Sequence, residues 1–344
     1  MCNPFSIPHI MGEAWPRPYI IAVVLLTLML ASGIHAQDAP VTITTDNADA
    51  LELIYTLEGH TLRVNDLVFA PDGATLISGS DDITARTWDM ATGETIWEMN
   101  GQLNLVRSVD ISPDGRAILT TGFDNYAFRW DVRSRTRADE VQELAAFNDG
   151  EYAPDGTTFA LSVGDGTVRI YDSATNAQLL SIQAPALRVP RLSYHPDGTQ
   201  IAGGTGFPDN RVLVWDVDSG EIAHEYDFFD DTILSLDYRA DGEQLAAATA
   251  NGDVVVIDVL SGEPQYTVAL DAGGVFDVAY NPTSHLLAAV DFAGGVYVWN
   301  SDDGEQLAHL LPDVPMTAVA FSPDGASLAT GGNDTRVYVW QAGE

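Results

Sequence analysis

The sequence predicts an all-β chain made of seven copies of one four-stranded unit, and three observations predict it. A Pro-Asp-Gly tripeptide begins at Pro71, Pro113, Pro154, Pro196 and Pro323, with degenerate forms at Ala240-Asp241-Gly242 and Asn281-Pro282-Thr283. Counted through Ala240 and Pro282, the steps are 42, 41, 42, 44, 42 and 41 residues. A second landmark keeps the same beat at Trp88, Trp130, Tyr171, Trp215, Ile257, Trp299 and Trp340. A third is a large side chain two residues ahead of each turn: Phe69, Ile111, Tyr152, Tyr194, Tyr238, Tyr280 and Phe321. A period near 42 residues, filled with short strands and tight turns, indicates a β-propeller.

Each unit reads as four strands. Val64-Asn65-Asp66-Leu67-Val68-Phe69 is an apolar first strand, closed by its Pro-Asp-Gly turn. Thr75-Leu76-Ile77-Ser78 is a second, and Arg211-Val212-Leu213-Val214-Trp215 shows how a third runs into the tryptophan landmark. A glycine turn at Gly93, Gly220, Gly262 or Gly304 leads to an outermost strand such as Glu94-Thr95-Ile96-Trp97. Turn signals at intervals of about ten residues are what an all-β chain requires.

These motifs resemble the WD-repeat family across residues 51–344, and aspartate follows the landmark in Trp88-Asp89, Trp130-Asp131, Tyr171-Asp172, Trp215-Asp216 and Ile257-Asp258. The resemblance implies a hydrogen-bonded tetrad in the first unit, through His60, Ser78, Asp82 and Trp88. The family's Gly-His pair stands only at Gly59-His60, so the other blades are expected to rest mostly on apolar packing. With the leader described below, the chain resembles an exported, bacterial member. The resemblance implies scaffolding rather than chemistry.

The residue count closes the ring. Leu51 to Glu344 is 294 residues, seven units of 42. The last unit stops just after Trp340 without a fourth strand, while Leu51–Leu57 is strand-like with no unit of its own. Pairing the two removes an exposed sheet edge. The fold class is therefore a seven-bladed β-propeller with four-stranded antiparallel blades, its N-terminal strand closing the last blade.

Ahead of the repeats, Tyr19 to Ala31 is an uncharged apolar run after Arg17, followed by small residues to Ala36. That is a secretory signal peptide, residues 1–36, with cleavage expected after Ala36. Residues 37–50 read as a polar linker and 51–344 as the propeller. The expected location is secreted or periplasmic; left uncleaved, the same segment would anchor the chain to a membrane.

Composition narrows the function classes. The formal net charge is −35, with 50 acidic residues against 15 basic ones, all of them arginine. Such a field repels phosphate backbones and argues against nucleic acid as a partner. Cys2 is the single cysteine, the seven histidines are scattered, and no catalytic motif is present, so neither a cofactor nor a metal is expected. Asp82, Asp124, Asp165, Asp209 and Asp334 recur six residues before the landmark, at the turn between second and third strands. A carboxylate there accepts local backbone N–H groups, so these are structural.

What remains is surface, and a monomeric disc holding a protein or peptide. The loops before first strands and those between second and third strands share one face. There lie Phe207, Phe228, Phe229 and Phe276, with Phe123, Tyr126 and Phe292 in other turns and Arg63, Arg107 and Arg188 flanking first strands. Aromatic rings and arginine are the residues of interface hot spots. Arg129, Arg133, Arg135 and Arg137 form a second basic cluster near the opposite face. The competing class is a propeller enzyme or small-ligand sensor using the central channel, near Asp66, Asp149, Arg191 and Asp277.

Overall fold

Seven four-stranded antiparallel sheets follow one another around a central channel. The computed structural model describes residues 41–343 apart from 187, 271, 272 and 313. The expected signal peptide and its cleavage site lie outside the described residues. Among the described residues, no helix is long and apolar enough to cross a membrane.

The innermost strands are Val64–Phe69, Val106–Ile111, Phe147–Tyr152, Leu192–Tyr194, Ile233–Tyr238, Val275–Tyr280 and Met316–Phe321. The first blade shows how local chemistry builds the unit. Its strands are Val64–Phe69, Thr75–Ser80, Thr84–Asp89 and Thr95–Asn100. In the first turn, Asp72 accepts the Ala74 N–H at 2.9 Å and Gly73 takes a φ of 67°, a conformation that costs a side-chain-bearing residue. Asp89, after the landmark tryptophan, likewise accepts the Ala91 and Thr92 N–H groups at 2.8 and 3.0 Å.

The landmarks are core. Trp88, Trp215 and Trp299 are fully buried, and Phe69, Tyr238 and Tyr280 pack in the apolar clusters between adjacent blades. The tetrad forms as the resemblance implies. His60 reaches Asp82 at 2.9 Å and Ser78 at 2.7 Å, and the Trp88 indole N–H donates to Ser78 Oγ at 2.8 Å. Partial burial alone would raise Asp82, but bonds from His60, Thr84 and the Thr61 N–H hold it well below the usual carboxylate range. Two other blades keep half of this network: Trp130 donates to Thr120 at 2.9 Å and Trp340 to Thr330 at 3.1 Å. Elsewhere the facing residue has no hydroxyl. Gly203 faces Trp215, where a Cβ would meet the ring at 2.7 Å, and Ala289 serves the Trp299 blade.

The recurrent turn aspartates are structural, with one correction. Asp124 accepts the Tyr126 and Leu103 N–H groups, Asp165 that of Thr167, and Asp334 that of Arg336. Asp209 instead pairs with Arg211. Its turn is longer, and Thr205 Oγ1 takes over the local bond by accepting the Arg211 N–H at 2.7 Å.

The stretch expected as linker also differs from 41 onward. Ile43 and Ala48 are fully buried in the cluster of the last two blades, and Ile43 bonds to Gly325 across its backbone at 2.9 Å. Two isolated apolar residues in a polar segment carry no periodicity, so the docking is invisible in sequence.

Ring closure follows the residue count. Leu51–Leu57 pairs antiparallel with Val337–Ala342, matching Leu51 to Ala342, Leu53 to Trp340 and Leu57 to Val337. Deleting residues 51–57 would expose the edge of Val337–Ala342 and open the ring. The shortened chain is expected to lose cooperative unfolding or to associate. A monomer that melts as the full chain does would contradict this closure.

Candidate functional site

Each innermost strand is a sheet edge that faces the channel, and in six of the seven a bulge shapes it. The register slips between Val64 and Asp66, Val106 and Ser108, Phe147 and Asp149, Ile233 and Ser235, Val275 and Asp277, and Met316 and Ala318. A bulge re-aims side chains, and here two successive residues serve the channel. In the fourth blade Pro190 stands at the bulge position, and the strand shortens to Leu192–Tyr194.

The residue after the bulge fastens one blade to the next. Asp66 accepts the Val109 N–H at 2.8 Å, Asp149 that of Leu192 at 2.7 Å, and Asp277 that of Val319 at 2.9 Å. Two positions further along, Asp110 accepts from Tyr152 and Asp237 from Tyr280, each at 2.6 Å, and Glu151 accepts from Tyr194 at 3.1 Å. Arg191 replaces the acceptor in the fourth blade and reaches Asp66 at 3.2 Å, Asp149 at 3.4 Å and Asp277 at 3.6 Å. The four channel residues singled out in the sequence therefore form one ion cluster.

This cluster bears on the channel reading. The lower channel encloses about 470 Å³, and its lining includes Asp66, Asp110, Asp149, Glu151, Asp237 and Asp277. Burial pushes Asp66 up to about 6 against the pull of Arg191, and it pushes Asp110 and Asp237 up to about 7. Yet each of the six already holds a backbone N–H of the next blade, which makes them fasteners. Among the described residues, no group of histidine, cysteine or carboxylates is arranged to hold a metal ion.

The residue at the bulge itself belongs to the upper mouth. Asn65, Arg107, Asn148, Pro190, Leu234, Phe276 and Thr317 occupy that one position in the seven blades and line a depression of about 380 Å³. Arg63, Arg188 and Phe207 from neighbouring loops join them. Five of the expected partner-binding residues thus converge: Arg63, Arg107, Arg188, Phe207 and Phe276. Phe207 is 81% exposed. The Arg107 guanidinium lies 5.4 Å from the Phe123 ring centroid, and Phe276 leans on Phe292 at 5.8 Å. Phe123 and Phe292 extend the rim, 36% and 56% exposed.

Three expected residues lie elsewhere. Phe229 is 8% exposed and packs with Ala202, Val212 and Ile233, so it is core and leaves the candidate interface. Its neighbour Phe228 is 37% exposed, with ring centroids 4.9 Å apart, and sits outside the depression. Tyr126 stacks on Phe128 at 5.5 Å and serves its own blade. Sequence reasoning missed Asn65 and Asn148. The signal was the column four residues before the ring landmark, the most varied of the first strand.

Three segments match the family WD domain, G-beta repeat: residues 51–89, 93–131 and 305–341. Those three segments of the chain are similar to that repeat. The matched segments end in the three blades whose tryptophan donates to a second-strand hydroxyl. The chain is 26% identical over 194 residues to a protein named Target of rapamycin complex subunit wat1 of Schizosaccharomyces pombe, covering 56% of this chain and 61% of that one. It is 26% identical over 215 residues to Protein LST8 homolog of Drosophila pseudoobscura pseudoobscura, covering 59% and 67%. Intraflagellar transport protein 122 homolog of Danio rerio matches 41% of this chain at 28% identity, but only 11% of its own length. These relatives are eukaryotic, so they lend nothing to the expectation of a bacterial source.

The raised carboxylates give the channel a pH dependence. A carboxyl held near 7 in the fold and near 4 unfolded favours the fold while protonated, and that contribution is lost as pH rises through about 7. Asp237→Asn keeps an oxygen for the Tyr280 N–H without the charge. Relative to the parent, it is expected to gain on the order of 1 kcal/mol between about pH 5 and about pH 8, moderated by channel water. Denaturant melts at both pH values check this, and a difference independent of pH would contradict it.

Proposed function

We propose that this propeller is a non-catalytic scaffold that binds a protein or peptide on the face bearing Phe207. The observation that carries the reading is a largely exposed phenylalanine beside a concave mouth lined by four arginines. Solvent-exposed rings on a rigid surface favour association, and arginine with aromatics makes most hot spots. The relative whose name makes it a complex subunit supports a protein partner, as does the engagement of the channel carboxylates in fastening blades. The net charge of −35 speaks against nucleic acid.

The scaffold is further proposed to act as an exported monomer, on the strength of the apolar run from Tyr19 to Ala31. N-terminal sequencing of the mature chain tests export, with Gln37 expected first.

Phe207→Ala tests the face. Truncating the ring is expected to cost roughly 1–4 kcal/mol of affinity for the partner that the parent disc captures from its native extract. The melting temperature is expected to stay unchanged, because the ring touches little. Undiminished capture would overturn the site.

A further inference from the structure

We propose that the upper mouth is an oxyanion site that takes the carboxylates of an acidic segment of the partner. This deepens the scaffold reading and rests on it. Arg107 and Arg188 carry the inference. In a chain with 50 acidic residues, nine of the fourteen described arginines pair with a carboxylate; Arg107 and Arg188 are two of the five that have none among the described residues, and these two line the mouth. Arg188 Nε donates to Asn148 Oδ1 at 2.8 Å, which orients the amide. The buried Asn148 Nδ2 and Arg107 Nε are left with no partner. Unpartnered buried side-chain atoms occur in other blades as well, but here two donors meet beside two arginines without carboxylate partners, a combination that suits an incoming acceptor.

The local charge agrees. Burial lowers the Arg107 guanidinium to about 10, and Arg191, Arg188 and Arg63 lower it further by repulsion against the opposing pull of Asp81, so four arginines gather here, of which Arg107 and Arg188 have no carboxylate partner among the described residues. Below, Arg191 is held by Asp66, Asp149 and Asp277, and these carboxylates keep an anion from descending. The ligand's oxygens therefore stop at the level of Arg107 and Arg188, where guanidinium forks suit a carboxylate. Phe207 and Phe276 stand alongside and fit an apolar residue next to the acid. A peptide alternating acidic and aromatic residues meets both requirements. The acidic surface repels the same peptide at long range, and salt screens exposed charges beyond about 10 Å at 0.1 M before it weakens a sheltered contact.

The test is a calorimetric titration of the full chain with three probes: an end-blocked peptide alternating glutamate and phenylalanine, its glutamine counterpart, and inorganic phosphate. The acidic peptide is expected to bind at least roughly tenfold tighter than the glutamine peptide. Arg107→Gln with Arg188→Gln is expected to abolish that preference and leave glutamine-peptide affinity unchanged. Arg188→Gln alone, at an exposed side chain, is expected to reduce the preference without touching the melting temperature. Equal affinity for the two peptides, both weakened by Phe207→Ala, would overturn the oxyanion site while leaving the scaffold reading intact. Absence of binding by either peptide, or indifference of the preference to both arginine variants, would overturn it as well. Phosphate binding at least as tightly as the acidic peptide would assign the mouth to a small free oxyanion and overturn the peptide assignment.

Discussion

The innermost strand of every blade ends its sheet at the channel, and its free N–H groups need acceptors. A propeller has no fifth strand to supply them, and an unpaired edge costs stability and invites association. Here a side chain from the preceding blade does so: Asp66, Asp149 and Asp277 in one row, Asp110, Glu151 and Asp237 in the next. Each bond joins residues 42 or 43 apart in sequence, so the repeat length is also the length of one fastening step. Blade packing supplies apolar burial, and the fasteners set how one blade sits against its neighbour.

The same constraint creates the candidate site. A bulge lets the strand present two consecutive residues to the channel, one to fasten and one left over. The fastening column is nearly uniform in chemistry, being mostly Asp or Ser. The other column holds Asn, Arg, Asn, Pro, Leu, Phe and Thr, and it rings the upper mouth. Structure and recognition are thereby divided between adjacent residues of one strand. Arg191 belongs to both, because it replaces a fastener and its three ion pairs form the floor of the mouth. The abundance of carboxylate has a cost in this arrangement: burial and mutual repulsion raise several of them, and one arginine cannot neutralise them all.

Much of this was legible in the residues. Ring closure followed from two complementary leftovers, and the aromatic column and the His60 tetrad followed from fixed spacing. The convergence of Arg63, Arg107, Arg188 and Phe207 followed from meander topology. Other features were not legible, for identifiable reasons. Adjacent rings cannot both turn inward, but nothing local says that Phe229 and not Phe228 does so. Tyr126 has the spacing of a turn residue yet finds Phe128 on its own strand. Asp209 sits in a longer turn where Thr205 is the nearer acceptor. Ile43 docks through contacts nearly the whole chain away. The two channel columns depend on a bulge, which shifts side-chain direction by one residue and leaves no mark in apolar alternation.

The central claim is that side chains of one blade satisfy the backbone edge of the next, and amide hydrogen exchange tests it most directly. Asp110 fastens Tyr152 and has no ion pair of its own among the described residues, so Asp110→Ala removes one bond cleanly. The account predicts that the Tyr152 amide is protected in the parent and exchanges at least roughly tenfold faster in the variant, with the Leu161 and Ala160 amides of the neighbouring strand far less affected. A Tyr152 amide that exchanges freely in the parent, or one equally protected in both, would contradict it.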